Sequence, residues 1–332
     1  MSDAAAPLGI AQRHATLRKA LLEPDEARRL SRLDALAPIR DTTLQWLKIL
    51  AAWAFVAWSP AVIVVLVALP VIGTSRYALQ VLAHDGIHRR LFSSAYVNDL
   101  FTDVFLLGSI GAVVRLSGRN HLLHHQRLGS DDDPDRFKYG SYNKTTTREL
   151  LAYLSGVSGF ALVIRRAFLP TERATRDAGS TGTGLRYAAR DIAIIGIWQA
   201  LLIVGLSWYI GWWAYPVLWL LPAYLFGYCG DMARQFLEHA HPERDEIADR
   251  HRLITHSSNP VERIFLSPLN MNLHTAHHLW PSIPYYNLPE ADRIMHARAA
   301  SDETIWRGSY LGSLREYWSA LPLAPCRPVK PA

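Results

Sequence analysis

The chain has 332 residues, half of them hydrophobic and only 19% charged, with a formal net charge of +6. That charge fraction is below the ~25% usual for soluble domains, and the apolar residues fall in blocks, so a membrane protein is the first inference. The basic residues form no run and no aromatic-interleaved stripe, which argues against nucleic acid as a partner, and two cysteines (Cys229, Cys326) exclude a disulfide framework.

In chain order, residues 1–43 carry mixed charge with leucines at helical spacing (Leu17, Leu21, Leu22, Leu30, Leu33, Leu36) and read as one or two amphipathic helices on the cytosolic side. No chemistry is assigned there, and His14 is expected at the surface. The start of the chain lacks the pattern of a cleaved signal. Arginine outnumbers lysine thirty to five, which suggests a bacterial source by association.

No charged residue occurs between Lys48 and Arg76. A single span needs ~20 apolar residues, so the longer stretch 44–83, broken at Ser59-Pro60, reads as two spanning helices joined by a tight turn. A second hairpin is expected over 191–233, a stretch free of Lys and Arg that breaks near Gly211-Trp212-Trp213. Because Lys and Arg flank both hairpins and avoid their tips, the soluble segments, both termini and any active site are expected on the cytosolic side of what would be a bacterial inner membrane. The stretches Leu100–Leu116 and Leu150–Leu169 contain Asp103, Arg115, Arg165 and Arg166 and are expected to lie in the interface or cap the bundle. The expected architecture is an all-α integral membrane protein with two transmembrane hairpins, four spanning helices in total, under a cytosolic helical cap. One catalytic domain would cover 44–322, followed by a flexible Pro-rich tail over 323–332.

The chemistry lies in the histidines. Of 14, eight fall in three clusters: His84 and His88 in HDGIH, His121, His124 and His125 in HLLHH, and His274, His277 and His278 in HTAHH. At this frequency one HxxHH is expected by chance about 0.02 times, so two copies are not accidental. Residues at i, i+3 and i+4 share a helix face and can point imidazoles at a common centre. One zinc takes four ligands, so eight imidazoles imply two metal ions, although imidazole by itself accepts Fe, Zn, Cu or Ni. The hairpins return the chain to one side of the membrane and so can gather the clusters.

Asp85, Glu238 and the run Asp131-Asp132-Asp133-Pro134-Asp135, Asp135 in particular, are candidates to orient the far nitrogens of ligating histidines, with a turn or helix cap the alternative for the run. His239, in RQFLEH, is weighed as a ninth ligand. His241, His251, His256 and His296 lack cluster spacing and are expected at the surface. Trp53, Trp58, Trp198 and Tyr224 are candidate walls of a substrate tunnel, with helix packing the favoured role for each.

HDGIH, the stretch HLLHHQRLGSDDDPD, and the stretch ending LNMNLHTAHHLWPSIPYYNLPEAD together resemble the membrane fatty-acid desaturase and hydroxylase superfamily, over about residues 44–291. The resemblance implies two iron ions, O2 as co-substrate, and His84, His88, His121, His124, His125, His239, His274, His277 and His278 as metal ligands. The one His-Pro, at His241, continues as HPER and not as a haem-binding HPGG. The resemblance then implies electrons from a separate ferredoxin or a cytochrome b5-like carrier with its reductase. Desaturation of a fatty acyl chain is the favoured activity. A lipid, carotenoid or alkane hydroxylase or ketolase with the same site is the alternative. An intramembrane zinc hydrolase built on HDGIH, or a non-enzymatic metal or haem carrier, would leave the two HxxHH boxes or their placement unexplained.

Overall fold

In the computed structural model, residues 10–130, 132–139, 146–157, 183–240, 253–299 and 305–321 are described. His241, His251, Asp131, residues 158–169 and the tail over 323–332 lie outside them. Among the described residues the chain is mostly helical, and two helices are long and apolar enough to cross a membrane, or three if one bent pair forms a single span.

Helices α1 (Ile10–Leu21) and α2 (Pro24–Leu30) occupy the expected amphipathic segment. Pro24 opens α2 at the position where a missing N–H costs nothing, and Glu26 reaches back to accept from the Glu23 N–H at 2.9 Å. Helices α3 (Leu36–Trp58) and α4 (Val62–Ile87) form the first hairpin, broken at Ser59-Pro60 as the sequence predicts. Pro70 is tolerated inside α4, and the Thr74 hydroxyl donates to its carbonyl at 2.7 Å.

The segment after α4 corrects one expectation. Leu100–Leu116 is not one continuous helix: α5 (Ala95–Phe101) runs on through a π-helical stretch to Ile110, and α6 (Val114–Arg127) leaves at 94°. Gly111, at φ +83°, takes a left-handed conformation that ends the first helix. Asp103, a costly charge if it faced lipid, accepts from the Val114 N–H at 2.7 Å and pairs with Arg190 at 2.8 Å. Short helices α7 (Arg136–Tyr139) and α8 (Thr147–Leu154) follow.

In the second hairpin, α9 (Thr183–Tyr209) turns at Gly211 into a helical run through two π-helical stretches, Pro216–Leu220 and Ala223–Cys229, that ends as α10 (Gly230–His239). A two-stranded parallel sheet pairs β1 (Ile254–His256) with β2 (Ile305–Arg307), Thr255 opposite Trp306. The remaining helices are α11 (Pro260–Phe265), α12 (His274–Leu279), α13 (Leu288–Arg298) and α14 (Tyr310–Ser319).

Two buried clusters set these parts together. Ile49, Val56, Ile72, Leu79, Leu106, Leu202 and Trp219 join the long helices, with the Trp46 ring stacked between Trp198 (5.2 Å) and Trp219 (6.1 Å). Leu21, Leu22 and Leu30 pack on Leu279, Leu288 and Met295, so α1 and α2 cover the helix that carries the third histidine box. His14 is consequently buried, correcting its expected surface position. Only 11% of the apolar window of α9 is buried, and Ile197, Leu201, Val204 and Trp208 point outward. A contiguous apolar face of this kind is costly in water and suits lipid.

Candidate metal centre

The structure brings all nine sequence-predicted histidines into two adjoining groups. His84 and His88 project from the end of α4 one turn apart, His121, His124 and His125 from α6, and His274, His277 and His278 from α12, while His239 ends α10. One nitrogen from each of His84, His88, His121, His125 and His277 lies within 4.8 Å of the others. His124, His239 and His278 form a second such group. His274 joins the second through His239, with their Nε2 atoms 2.9 Å apart.

Helical geometry explains the partition. Side chains at i and i+4 project about 40° apart, whereas adjacent ones diverge by about 100°. In α6, His121 and His125 therefore serve the first group and His124 the second. In α12 the roles reverse, with His274 and His278 at the second group and His277 at the first. Each HxxHH box thus holds both groups at once, and the stacked rings of His125 and His278, 4.2 Å apart, lie between them.

The spacing fits metal ions. Around the first group the Nε2 atoms of His88 and His121 are 2.8 Å apart, those of His121 and His125 3.1 Å, and those of His125 and His277 3.1 Å. Two ligands at right angles on an ion with nitrogens at about 2.1 Å would stand about 3.0 Å apart. His278 buries both ring nitrogens without a hydrogen-bond partner among the described residues, an arrangement a coordinate bond relieves. Burial, reinforced by neighbouring imidazoles, pushes His274, His277 and His278 well below the ordinary histidine range, so they present neutral lone pairs. His88 is pushed down to about 3, first by burial and then by Arg90.

Two carboxylates lie behind the rings, and one of them, Asp133, holds its histidine by a hydrogen bond. Asp133 meets Nδ1 of His124 at 3.0 Å and also accepts from the Tyr139 hydroxyl and the Asp135 N–H. Burial alone would raise the Asp133 carboxyl, but the His124 and Tyr139 hydrogen bonds hold it below the usual range. Glu238 lies 3.3 Å from Nδ1 of His274 and is itself fixed by Arg234 (2.6 Å) and the Tyr310 hydroxyl (2.5 Å).

Two expected partners differ. Asp135 pairs with Lys138 at 3.0 Å, and it is Asp133, two residues earlier in the same turn, that reaches His124. Asp85 accepts from the Tyr285 N–H at 2.7 Å and keeps 3.8 Å from Nδ1 of His84, so it ties the loop after α12 to α4. His256 is fully buried, stacked on Tyr310 at 4.0 Å, which corrects its expected surface position, whereas His296 is exposed.

A cavity of about 630 Å³ adjoins the histidines. His84, His121, His124, His239, His274 and His278 line one part of it, and Arg76, Gln80, Leu107, Ile110, Tyr224 and Tyr228 line others. Of the four aromatic residues considered for a tunnel, Tyr224 is on this wall; Trp53 packs edge-on against Trp219, Trp198 donates to the Val104 carbonyl at 2.7 Å, and Trp58 is 80% exposed. Asp133 and Arg76 were not singled out from the sequence. Arg76 ends the long uncharged stretch, and its place as the first charge in the apolar helix α4, nine residues ahead of Asp85, is the signal the sequence carries.

The family model for fatty acid desaturases matches residues 60–309. A beta-carotene ketolase of Paracoccus sp. (strain N81106 / MBIC 01143) is 25% identical over 213 residues, covering 64% of this chain and 72% of the relative.

Proposed function

We propose that this chain, which belongs to the fatty acid desaturase family, is a membrane oxidoreductase that uses two histidine-held iron ions and O2 to oxidise an unactivated C–H bond of a lipid-like substrate, with desaturation of a fatty acyl chain the favoured outcome. The observation that carries this reading is the division of eight imidazoles into two adjoining groups at metal-ligand spacing, with His274 against the second through His239, beside a cavity large enough for a substrate segment. Iron bound there would supply O2 activation and hydrogen removal from a methylene.

The chain's own residues do the positioning. Nε2 atoms of His88, His121, His125 and His277 would hold one ion, and His124, His239, His274 and His278 the other, with His84 completing the first group. Asp133 keeps the Nδ1 proton of His124 on its outer side and so leaves Nε2 free to coordinate. The second group is buried from water and the first is half-buried beside the cavity, whose wall would fix which carbon faces them.

The hairpins α3–α4 and α9–α10 are proposed to provide four spans of a bacterial inner membrane, with the histidines, both termini and the covering helices cytosolic. A single catalytic domain over 44–322 is proposed, with electrons from a separate ferredoxin or cytochrome b5-like carrier and its reductase. The ketolase relative favours a second reading, carotenoid or lipid hydroxylation or ketolation at the same site. HDGIH used alone as a hydrolase motif is disfavoured, since the Asp85 carboxylate is engaged by the Tyr285 N–H.

Mass-spectrometric lipid and carotenoid profiles of cells expressing the wild type or His277→Ala test the proposal. A wild-type product that has lost two hydrogens and gained no oxygen supports desaturation, one that has gained an oxygen (hydroxylation) or gained an oxygen and lost two hydrogens (ketolation) supports the second reading, and profiles identical to those of the variant contradict both.

A further inference from the structure

We infer that Arg76 receives the acyl oxygen end of the substrate, so that the cavity takes an oxygen-bearing amphiphile and not a pure hydrocarbon; this rests on the reading above only in taking the cavity as the substrate's place. Arg76 lies in α4 eight residues before His84, about 12 Å along the axis. Arg76, Gln80, Ala83, His84 and Ile87 recur at helical spacing and all line the cavity.

The guanidinium is placed to be completed by a ligand. Arg76 is only 8% exposed, and its Nε has no hydrogen-bond partner among the described residues. One side of it packs over the Trp219 ring, 5.0 Å from its centroid. Of the two carboxylates on the same cavity wall, Asp231 is taken by Arg234 at 2.9 Å and Asp135 by Lys138 at 3.0 Å. Gly227, in the π-helical stretch opposite, keeps space beside the group: a Cβ there would come within 3.3 Å of Nη1 of Arg76 and 3.4 Å of Oε1 of Gln80. A π-helical turn is itself an irregularity found most often where a site is built.

A buried cation with no counter-charge among the described residues is costly, and costlier within an apolar helix, so its retention calls for a partner that arrives with function. The planar guanidinium fork matches a carboxylate and also donates to an acyl carbonyl oxygen, whereas a carotene hydrocarbon offers it no acceptor. With such an oxygen at Arg76, the alkyl segment runs along the α4 face to the histidines. Arg76 is then a positioning residue that sets which methylene reaches the metal groups.

The test is equilibrium binding of radiolabelled palmitate, methyl palmitate and hexadecane to the purified full-length chain in detergent. The wild type is expected to bind palmitate at least tenfold more tightly than hexadecane, with methyl palmitate between them if a carbonyl suffices. Arg76→Gln should collapse that preference without changing hexadecane affinity, and Arg76→Lys should keep part of it. Gly227→Ala leaves the charge in place and narrows its approach, so it should also weaken palmitate and serves if Arg76→Gln does not fold. Equal binding of palmitate and hexadecane by the wild type, or an undiminished palmitate preference in Arg76→Gln, overturns the inference. Because binding requires no iron, failure of the iron reading leaves this result standing; oxidation of a carotene by the wild type overturns the role of Arg76 while leaving the C–H oxidation reading intact.

Discussion

His124 and His125 are neighbours in sequence yet serve different nitrogen groups, their rings 5.8 Å apart and turned 81° to each other. The same divergence separates His277 from His278, at 5.7 Å and 82°. Single substitutions within one box should therefore be separable. His277→Ala is expected to lower the first group's occupancy and His278→Ala the second's, each reducing bound iron from about two toward about one per chain on elemental analysis. Loss of all iron from both variants would show that the two groups do not load independently.

Asp133→Asn keeps the shape of the side chain but removes the charge that orients His124. Partners of this kind are typically worth about 10–100-fold in metal affinity. The expected outcome in chelator competition is a loss of that size with an unchanged helical circular dichroism spectrum. Asp135→Asn, whose carboxylate pairs with Lys138 instead, should lose much less.

His256 ties α14 to the β1 edge through its stacking on Tyr310 and a 3.0 Å contact with Ser313. Burial, and then Arg307, pushes it down to about 3. An unfolded histidine near 6.5 takes up its proton first as acid is added, so the folded state loses stability as pH falls below about 6.5 and retains it above. Between pH 7 and pH 5 this one group accounts for about 2 kcal/mol. His256→Gln should lose correspondingly less stability over that interval in denaturant unfolding; an equal loss would place the acid sensitivity elsewhere.

Leu21 is fully buried in the cluster that seats α1 and α2 on α12 and α13. Leu21→Ala should destabilise the protein by about 2–5 kcal/mol. If α1 and α2 hold the third box in place, the same variant should release iron faster to a chelator than an equally destabilised variant in the long-helix cluster, such as Ile72→Ala.

Much of this centre is legible in the sequence because its information is local. HxxHH on a helix states that imidazoles gather on one side, and their number implies two ions; the expectation that each box serves one common centre is corrected by the structure, in which adjacent histidines, about 100° apart, go to different groups. The first hairpin is legible for a similar reason: Ser59-Pro60 interrupts an apolar run too long for one span. Contacts made in space were not. Asp133 and Asp135 look equivalent in an acidic run, and only the turn ending at α7 decides which reaches His124. His14 and His256 carry no local sign of burial; the residues over His256 come from α14, more than fifty positions away. The π-helical stretches at Pro216–Leu220 and Ala223–Cys229, like the bend at Gly111, have no hydrophobic period that sets them apart from an ordinary helix.

The most direct test of the central claim is metal analysis of the purified full-length chain after reconstitution with ferrous iron under anaerobic conditions. Two iron ions per chain, falling in both His277→Ala and His278→Ala, is the predicted result. One zinc per chain, or iron retained at wild-type level in both variants, would contradict it.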